Sequence, residues 1–440
     1  MDLEGFVRRM LGRMDENEII DTLSKRIAEI KGDYPENWID FAKAVLFEVK
    51  NAEKASKMSI LSYYKSGIKA GEAGVGSRGE GDFFVHKLIS EIISSTGISG
   101  VVSSKDLDDA GVVKAKGKYI YVAVDGIHSR LSEFPFIAGF HVTRAAMRDV
   151  LVMNSTPVAV FSDIHIADDG DVSKIFDHIA GICSVCELTK VPLIAGSTLR
   201  IGGDMVIGER MSGCVGCVGV GNKISARRNA MDGDVILMSE GAGGGTVCTA
   251  AIYYGYPEVV EETLNIDFIK ASRPIVESEI DIHAMTDVTN GGIRGDAEEI
   301  ARVSKKKLVF YEDELIKTIK PKVMKMLEAV GIDYLGISTD SLMIICKEEV
   351  AEEVKKLVKK AKVKIYEVGR VEEGDTGAYL EKDGKTEKLK PKFRESAYTP
   401  IKKIVGESRP ENFEEIIEKI RKAAEKAIEK KSKIVSKIKT

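Results

Sequence analysis

Apolar residues in the first part of the chain recur every three to four positions: Ile19, Ile20, Leu23, Ile27 and Ile30, then Phe41, Ala44, Val45 and Val49 after Asp33–Pro35. That period belongs to amphipathic helices and predicts a helical N-terminal extension over residues 1–70. From Phe83 onward the pattern changes. Helical stretches alternate with short β-branched runs, Tyr119–Val124, Val158–Phe161 and Val191–Ile194, so an α/β (α+β) domain is expected over 71–224. A polar stretch from Gly221 to Asp234 interrupts the apolar text and sets a boundary close to residue 225. A second unit over 225–400 has strands expected at Val235–Met238, Lys307–Phe310, Leu342–Cys346 and Val363–Val368, with helices at Pro321–Val330 and Glu348–Lys360. In 401–440, Phe413, Ile416, Ile417, Ile420, Ala424 and Ala427 share one face of a charged C-terminal helix that follows Ser408-Arg-Pro410. That face suits either the chain's own body or a protein partner.

A chain of 440 residues exceeds one ordinary core, in keeping with two folded units and appendages. Apolar residues make up 44% and charged residues 30%, which excludes a mainly disordered or membrane-embedded chain. Sixty-five Lys+Arg face sixty-nine Asp+Glu, a formal charge of −4, so nothing global favours nucleic acid or an anionic membrane surface. Any polyanion site has to be local. Residues 1–30 carry no uninterrupted apolar stretch of the export type, and no run approaches the roughly 18 apolar residues of a spanning helix. The expected compartment is the cytoplasm, where six cysteines are expected as reduced thiols. Glutamine is absent while Lys, Glu and Ile abound, the profile of a hot-living source.

Four acidic positions could carry chemistry. Asp108 and Asp109 adjoin each other before the β-branched Val112-Val113; their mutual repulsion would be relieved by a hard cation, although taken alone they read first as a polar turn before a strand. Asp125 ends the run Tyr119–Val124 and precedes Gly126, placing a carboxylate at a strand's carboxyl edge. Asp149 lies in the apolar helical segment Ala145–Met153, where burying a lone charge is costly; Arg148 is an available partner. Asp287 opens Asp287-Val-Thr-Asn-Gly-Gly292, where Asn290, Gly291 and Gly292 begin a helix whose backbone N–H groups and dipole can meet a phosphate while Asp287 holds its metal. The glycine-rich Gly71–Asp82 segment, with five glycines in twelve residues, reads as a hinge or ligand loop, and His86 follows it. Gly241-Ala-Gly-Gly-Gly245 opens another helix but lacks both the P-loop and the dinucleotide pattern. Cys183-Ser-Val-Cys186 and Cys214-Val-Gly-Cys217 have zinc or iron–sulfur spacing; the first pair falls in a helical run and the second in a strand, which favours buried small hydrophobes.

In order, Asp108-Asp-Ala-Gly111, Asp125-Gly126, Arg148-Asp149 with Thr156-Pro157, Ala195-Gly-Ser-Thr198 and Met285-Thr-Asp-Val-Thr-Asn-Gly-Gly292 resemble the aminoimidazole ribonucleotide (AIR) synthetase superfamily, across residues 71–400. That group includes selenophosphate synthetase, thiamine monophosphate kinase and the hydrogenase-maturation dehydratase. The resemblance implies an N-terminal α/β domain whose sheet joins that of a second subunit in a dimeric β-barrel, a C-terminal α/β domain beside it, and ATP between subunits. It implies that Asp108 or Asp109, Asp125 and Asp287 hold Mg²⁺ on the triphosphate, with Asp149 in the same acidic set. It further implies that Gly196, Ser197 and Thr198 reach the nucleotide from the partner chain, and that the segment around Gly74–Asp82 is a lid with His86 or Lys87 near the reacting phosphate. The expected activity is ATP- and Mg²⁺-dependent phosphorylation or activation of an amide-, amidine- or carboxylate-type oxygen on a small polar substrate. A non-catalytic nucleotide-binding scaffold of the same fold is the alternative. The lid carries no cysteine and the sequence ends without one, which counts against selenophosphate synthesis and a carried thiocarboxamide.

Overall fold

A computed structural model of the chain describes residues 2–58, 60–201, 207–278, 280–395 and 397–439. The first sheet is built from β1 (Gly111–Ala115), β2 (Lys118–Gly126), β3 (Thr156–Ile166), β4 (Leu193–Arg200) and β5 (Met211–Gly221), in the order β1-β2-β5-β3-β4. All neighbours are antiparallel except β3 and β4. A two-residue turn at Lys116-Gly117, both with positive φ (47° and 80°), closes the β1–β2 hairpin, the backbone shape that matches the strands' own twist.

Alternation along β2 divides the sheet. Tyr121 and Ala123 are buried, whereas Val122 and Val124 remain 43% and 60% exposed. The buried side packs on the helices Pro135–Val152 and Ser173–Thr189, with Met147, Val150, Leu151, Ile182 and Val185 in one core. These helices approach closely because each offers a glycine at the contact. A Cβ on Gly139 would collide with the His178 carbonyl, and one on Gly181 with the Phe136 carbonyl. The opposite face carries exposed valines and no covering helix among the described residues.

The second sheet comprises β6 (Asp234–Ser239), β7 (Ala284–Asp287), β8 (Lys307–Tyr311), β9 (Leu342–Lys347), β10 (Ile365–Glu372), β11 (Gly377–Lys382) and β12 (Lys385–Lys388), ordered β12-β11-β8-β10-β6-β9-β7. Its centre is apolar on both sides, so β6 and β9 read as continuous hydrophobic runs. On one face Ile236, Met343 and Phe310 meet Ile293, Ala297 and Ile300 of the helix Gly292–Ser304. On the other, Leu237 and Ile344 meet Phe268 and Ile275 of the helix Asp267–Val276, and Val354 of the helix Glu348–Lys360. Ile269 of the helix Asp267–Val276 belongs to the core of the first sheet, and Val152 to the core of the second. The two sheets thus share their packing across two helices.

The helices Leu3–Met10, Glu16–Lys31 and Ile39–Ala55 make a small core of their own with Ile207. Asp15 and Glu18 form a reciprocal capping box at the start of the second. The tail helix Phe413–Lys439 packs on the helix Glu80–Ser94; it buries only Phe413 and Ile416, against Phe393. The Lys430 Nζ donates to the Ser62 carbonyl and the Lys431 Nζ to the Ser95 carbonyl, each at 2.6 Å. The helix therefore packs, in part, on the chain's own body.

The close helix pair makes a direct prediction. Gly181→Ala forces the Ser173–Thr189 helix off the Phe136 carbonyl and lowers stability by about 1–3 kcal/mol in chaotrope unfolding. An unchanged midpoint would show that the contact is looser than drawn.

Candidate functional site

The carboxylates picked out in the sequence come from different elements and meet where the two sheets abut. Asp108 and Asp109 precede β1, Asp125 is the penultimate residue of β2, Asp149 lies near the end of the helix Pro135–Val152, and Asp287 ends β7. Burial pushes the Asp149 carboxyl well above the usual carboxylate range, and neighbouring Asp125, Asp287 and Asp109 add to the shift. Burial likewise raises Asp125 to about 6 against the pull of Arg148, with Asp287 adding to the rise. Asp109 reaches about 7 through burial, despite Arg227 and with Asp287 and Asp108 opposing its ionisation. Four acids thus repel one another in a poorly solvated space.

Arginines partition that space. Arg148, beside Asp149 in sequence, does not pair with it in the structure; its guanidinium is 3.1 Å from Asp287 and also binds Asp340. Arg144, one turn earlier, pairs with the same Asp340 and donates to the Thr263 carbonyl at 2.7 Å. Arg227, from the stretch between the sheets, donates to Asp109 (2.6 Å), Glu299 (2.5 Å) and Thr286 Oγ1 (2.6 Å), while its backbone N–H donates to Asp108 Oδ1 (2.7 Å). Burial raises Glu299, but Arg78 and Arg227 outweigh it and hold the carboxyl below its ordinary value. Three buried carboxylate oxygens, Asp108 Oδ2, Asp109 Oδ2 and Asp296 Oδ1, have no hydrogen-bond donor among the described residues.

Among the described residues no three His, Cys, Asp or Glu side chains converge tightly enough to enclose one ion. The chemistry of the donor set nevertheless fits a divalent cation: hard oxygens with unused lone pairs, raised affinities for protons, and carboxylates from separate elements.

The Asn290-Gly291-Gly292 turn sits beside these acids under the glycine-rich loop. Gly291 and Gly292 have φ of 103° and 61°; a Cβ on Gly291 would lie 2.9 Å from Arg78 Cβ, and one on Gly292 would strike the Leu335 carbonyl. Side chains are therefore excluded where the helix Gly292–Ser304 begins. Asp82 closes the loop by accepting from the N–H groups of Gly76 (2.8 Å) and Arg78 (3.0 Å). Arg78 Nε in turn donates to the Asn290 carbonyl at 3.2 Å, and its guanidinium is 3.7 Å from Glu299.

A cleft of about 130 Å³ opens beside Asp125, lined also by Arg144, Arg148, His128, Gly245 and Asn290. The Gly241–Gly245 segment thus borders the acidic junction and opens the helix Gly245–Tyr254. His86 is exposed, 3.6 Å from Asp82, and Lys87 lines a separate groove against Phe413. Gly196, Ser197 and Thr198 lie on the exposed edge strand β4. The register runs Asp125–Val215–Ser162–Gly196 across the sheet, three strand spacings, or about 14 Å from Asp125 to Gly196.

Among the described residues the cysteines form no group that could hold a metal ion, although Cys186 lies near both Cys183 and Cys217. Cys183 is exposed on its helix, while burial raises the Cys186 thiol to about 11 and the Cys217 thiol to about 12, values of neutral small side chains. Cys214 faces Asp163 instead.

Arg78, Arg227, Glu299 and Asp340 escaped the sequence reading. Arg227 sits in a stretch that reads as a linker. Asp340, at φ 59°, is one polar residue among Ser338-Thr-Asp-Ser341 before β9, and its unusual backbone leaves no trace in composition.

The AIR synthase related protein N-terminal domain matches residues 107–220 and the C-terminal domain residues 231–380. An uncharacterized protein of Methanocaldococcus jannaschii is 55% identical over the whole of this chain and 98% of its own length. A selenide, water dikinase of the same organism is 26% identical over 66% of this chain and 90% of its own. The structure of AaThiL complexed with AMPPCP and TMP shares 19% identity and a TM-score of 0.56, covering 72% of this chain and 97% of that one. With both domain models matched in order on the two sheets that flank the acidic junction, the chain belongs to the AIR synthase related family.

Proposed function

We propose that this chain is an ATP- and Mg²⁺-dependent enzyme that phosphorylates or activates an oxygen of a small polar acceptor, of the amide, amidine or carboxylate type, and that it works as a homodimer. The observation that carries the reading is the convergence of Asp109, Asp125, Asp149 and Asp287 from four elements at one buried junction. A triphosphate brings several negative charges, which these carboxylates cannot approach without intervening cations. Mg²⁺, when bound, would supply that neutralisation and polarise the terminal phosphate. Asp109, Asp125, Asp149 and Asp287 would hold it, with Asp108 at the edge of the set.

The chain's own groups then position the reactants, which is the larger part of phosphoryl-transfer catalysis. The Asn290–Gly292 turn opens the helix Gly292–Ser304, whose dipole favours an anion at that end. Arg78, carried by the glycine-rich loop and already joined to the Asn290 carbonyl, brings a fixed cation to the same edge. Arg148 ties Asp287 to Asp340 and holds the first acid in place. Gly196–Thr198, about 14 Å along the sheet from Asp125, suit a nucleotide held by a second copy. The exposed apolar face of Val122 and Val124 gives that copy a surface to bury. The ATP analogue named in the AaThiL structure accords with this reading. Among the described residues no helix is long and apolar enough to cross a membrane.

Three outcomes are expected. Asp125→Asn or Asp287→Asn abolishes Mg²⁺-dependent ATP binding in calorimetry; undiminished binding in both defeats the reading, and the failure of every acceptor among amides, carboxylates and nucleotide precursors to support ATP turnover would leave a scaffold instead. Replacing both Val122 and Val124 by Lys yields a folded monomer in sedimentation that has lost ATP affinity; a dimer of unchanged stability would place the second copy elsewhere.

The third concerns pH. Asp109 and Asp125 have folded values of about 7 and about 6, raised from an unfolded value of about 4. A raised acid binds its proton more tightly in the folded state, so its contribution is fully present below pH ~4 and is lost as pH climbs through 6 and 7. Without divalent cations the Tm should therefore fall over that interval from this cause, and millimolar Mg²⁺ should restore it at pH 8. Asp125→Asn, which removes a carboxylate ionised at pH 8, should raise the Mg²⁺-free Tm at that pH while removing the Mg²⁺ effect. A variant less stable than the parent under those conditions would contradict the charge argument.

A further inference from the structure

Where the tail helix Phe413–Lys439 begins, it encloses a groove of about 550 Å³ together with the helix Glu80–Ser94, the helix Gly292–Ser304 and the segment Lys388–Pro391. Its apolar lining includes three rings, Phe83, Phe84 and Phe413. Five cationic side chains surround them: Lys87, Arg302, Lys388, Lys390 and Arg409. The acids at this groove are Glu80 and Glu298. Arg409 is already balanced, 3.5 Å from Glu80, paired with Glu414 and stacked 4.4 Å from the Phe413 ring centre. Lys87, Arg302, Lys388 and Lys390 have no ion-pair partner among the described residues. Some surface lysines elsewhere do find acids, such as Lys317 2.6 Å from Glu314, Lys355 2.9 Å from Glu352 and Lys382 2.9 Å from Glu312.

Four cations without ion pairs around one concavity repel one another, and an anion entering between them relieves that repulsion while gaining charge-assisted hydrogen bonds. Phenylalanine rings offer nothing to a bare ion but bury a flat apolar body well. The volume lies in the range of small-molecule sites, roughly 300–1,000 Å³, and is too confined for a folded partner. Much of the lining lies outside the two matched family domains, which span 107–220 and 231–380.

We propose that this groove is a second ligand site, separate from the aspartate junction, that takes a small phosphorylated molecule with a planar apolar body. The phosphate meets Arg302, Lys390 and Lys87, and the ring system lies against the half-buried Phe83 and Phe84. The site stands whether or not the aspartate junction binds nucleotide.

Phenyl phosphate is the probe, titrated calorimetrically into the full chain in the absence of divalent cations, with inorganic phosphate and a glutamate-rich peptide as parallel arms. One site per chain is expected, with phenyl phosphate about tenfold tighter than inorganic phosphate. Arg302→Met combined with Lys390→Met, two exposed positions, should weaken it by a further factor of about ten, whereas Asp149→Asn should leave it unchanged. Circular dichroism and Tm of the double variant confirm that the fold survives. The proposal is overturned by no saturable binding at millimolar probe, by undiminished binding in the double variant, or by loss of binding in Asp149→Asn. A peptide that binds more tightly than phenyl phosphate would equally overturn it in favour of an acidic protein segment.

Discussion

Charge balance at the contact between the two sheets is the constraint on which the rest depends. Eight carboxylates, from Asp108, Asp109, Asp125, Asp149, Asp287, Asp296, Glu299 and Asp340, form a continuous network with four guanidiniums, from Arg78, Arg144, Arg148 and Arg227. Full ionisation would leave an excess of four negative charges in a region largely withdrawn from water. The energetic cost of such an excess is several kcal/mol per uncompensated ion, and it is reduced either by protons or by metal cations. The raised carboxyls of Asp109, Asp125 and Asp149 are the proton solution. A divalent cation would compete for the same oxygens, so the features that make the site costly are those that the proposed metal-bound polyphosphate would relieve.

The arginines make site and domain arrangement inseparable. Arg148 belongs to the layer covering the first sheet, yet its partners Asp287 and Asp340 belong to the end of β7 and the approach to β9 in the second. Arg227 joins Asp109, ahead of the first sheet, to Glu299 in a helix on the second. Each bridge is a buried ion pair, so removing one member exposes the other to the full cost of burial. Apolar packing through Ile269 and Val152 fixes the same contact without charge. The junction is held by two kinds of force at once, and only the charged one responds to ligand or pH.

What the sequence disclosed followed from burial. The helices Pro321–Val330 and Glu348–Lys360 match their periodicity to the residue, and β2, β6 and β9 match to within a residue or two, because each buries a continuous side or whole length. Where nothing is buried the pattern falls silent. β4, expected at Val191–Ile194, runs Leu193–Arg200, since seven of its eight residues are exposed and leave no apolar alternation to read. β12 escapes the reading for a similar reason, being wholly exposed. Pairings were harder still. Arg148 and Asp149 are adjacent in sequence, but successive helical residues point about 100° apart and do not face each other. Only tertiary structure could assign Arg148 to Asp340, 192 residues away.

The glycine-rich loop shows how parts outside the matched domains enter this arrangement. Glu80 donates its N–H to the Lys392 carbonyl at 3.0 Å, and Arg394 donates to the Gly71 carbonyl at 2.8 Å. Phe393 packs on Phe413 with ring centres 5.1 Å apart. The loop that carries Arg78 to Asn290 is therefore anchored at both ends to the segment leading into the tail helix. Gly79 and Gly81 set how close the two segments lie: a side chain at either would collide with the Phe393 backbone or ring. The tail packs on the helix Glu80–Ser94, which begins where this loop ends.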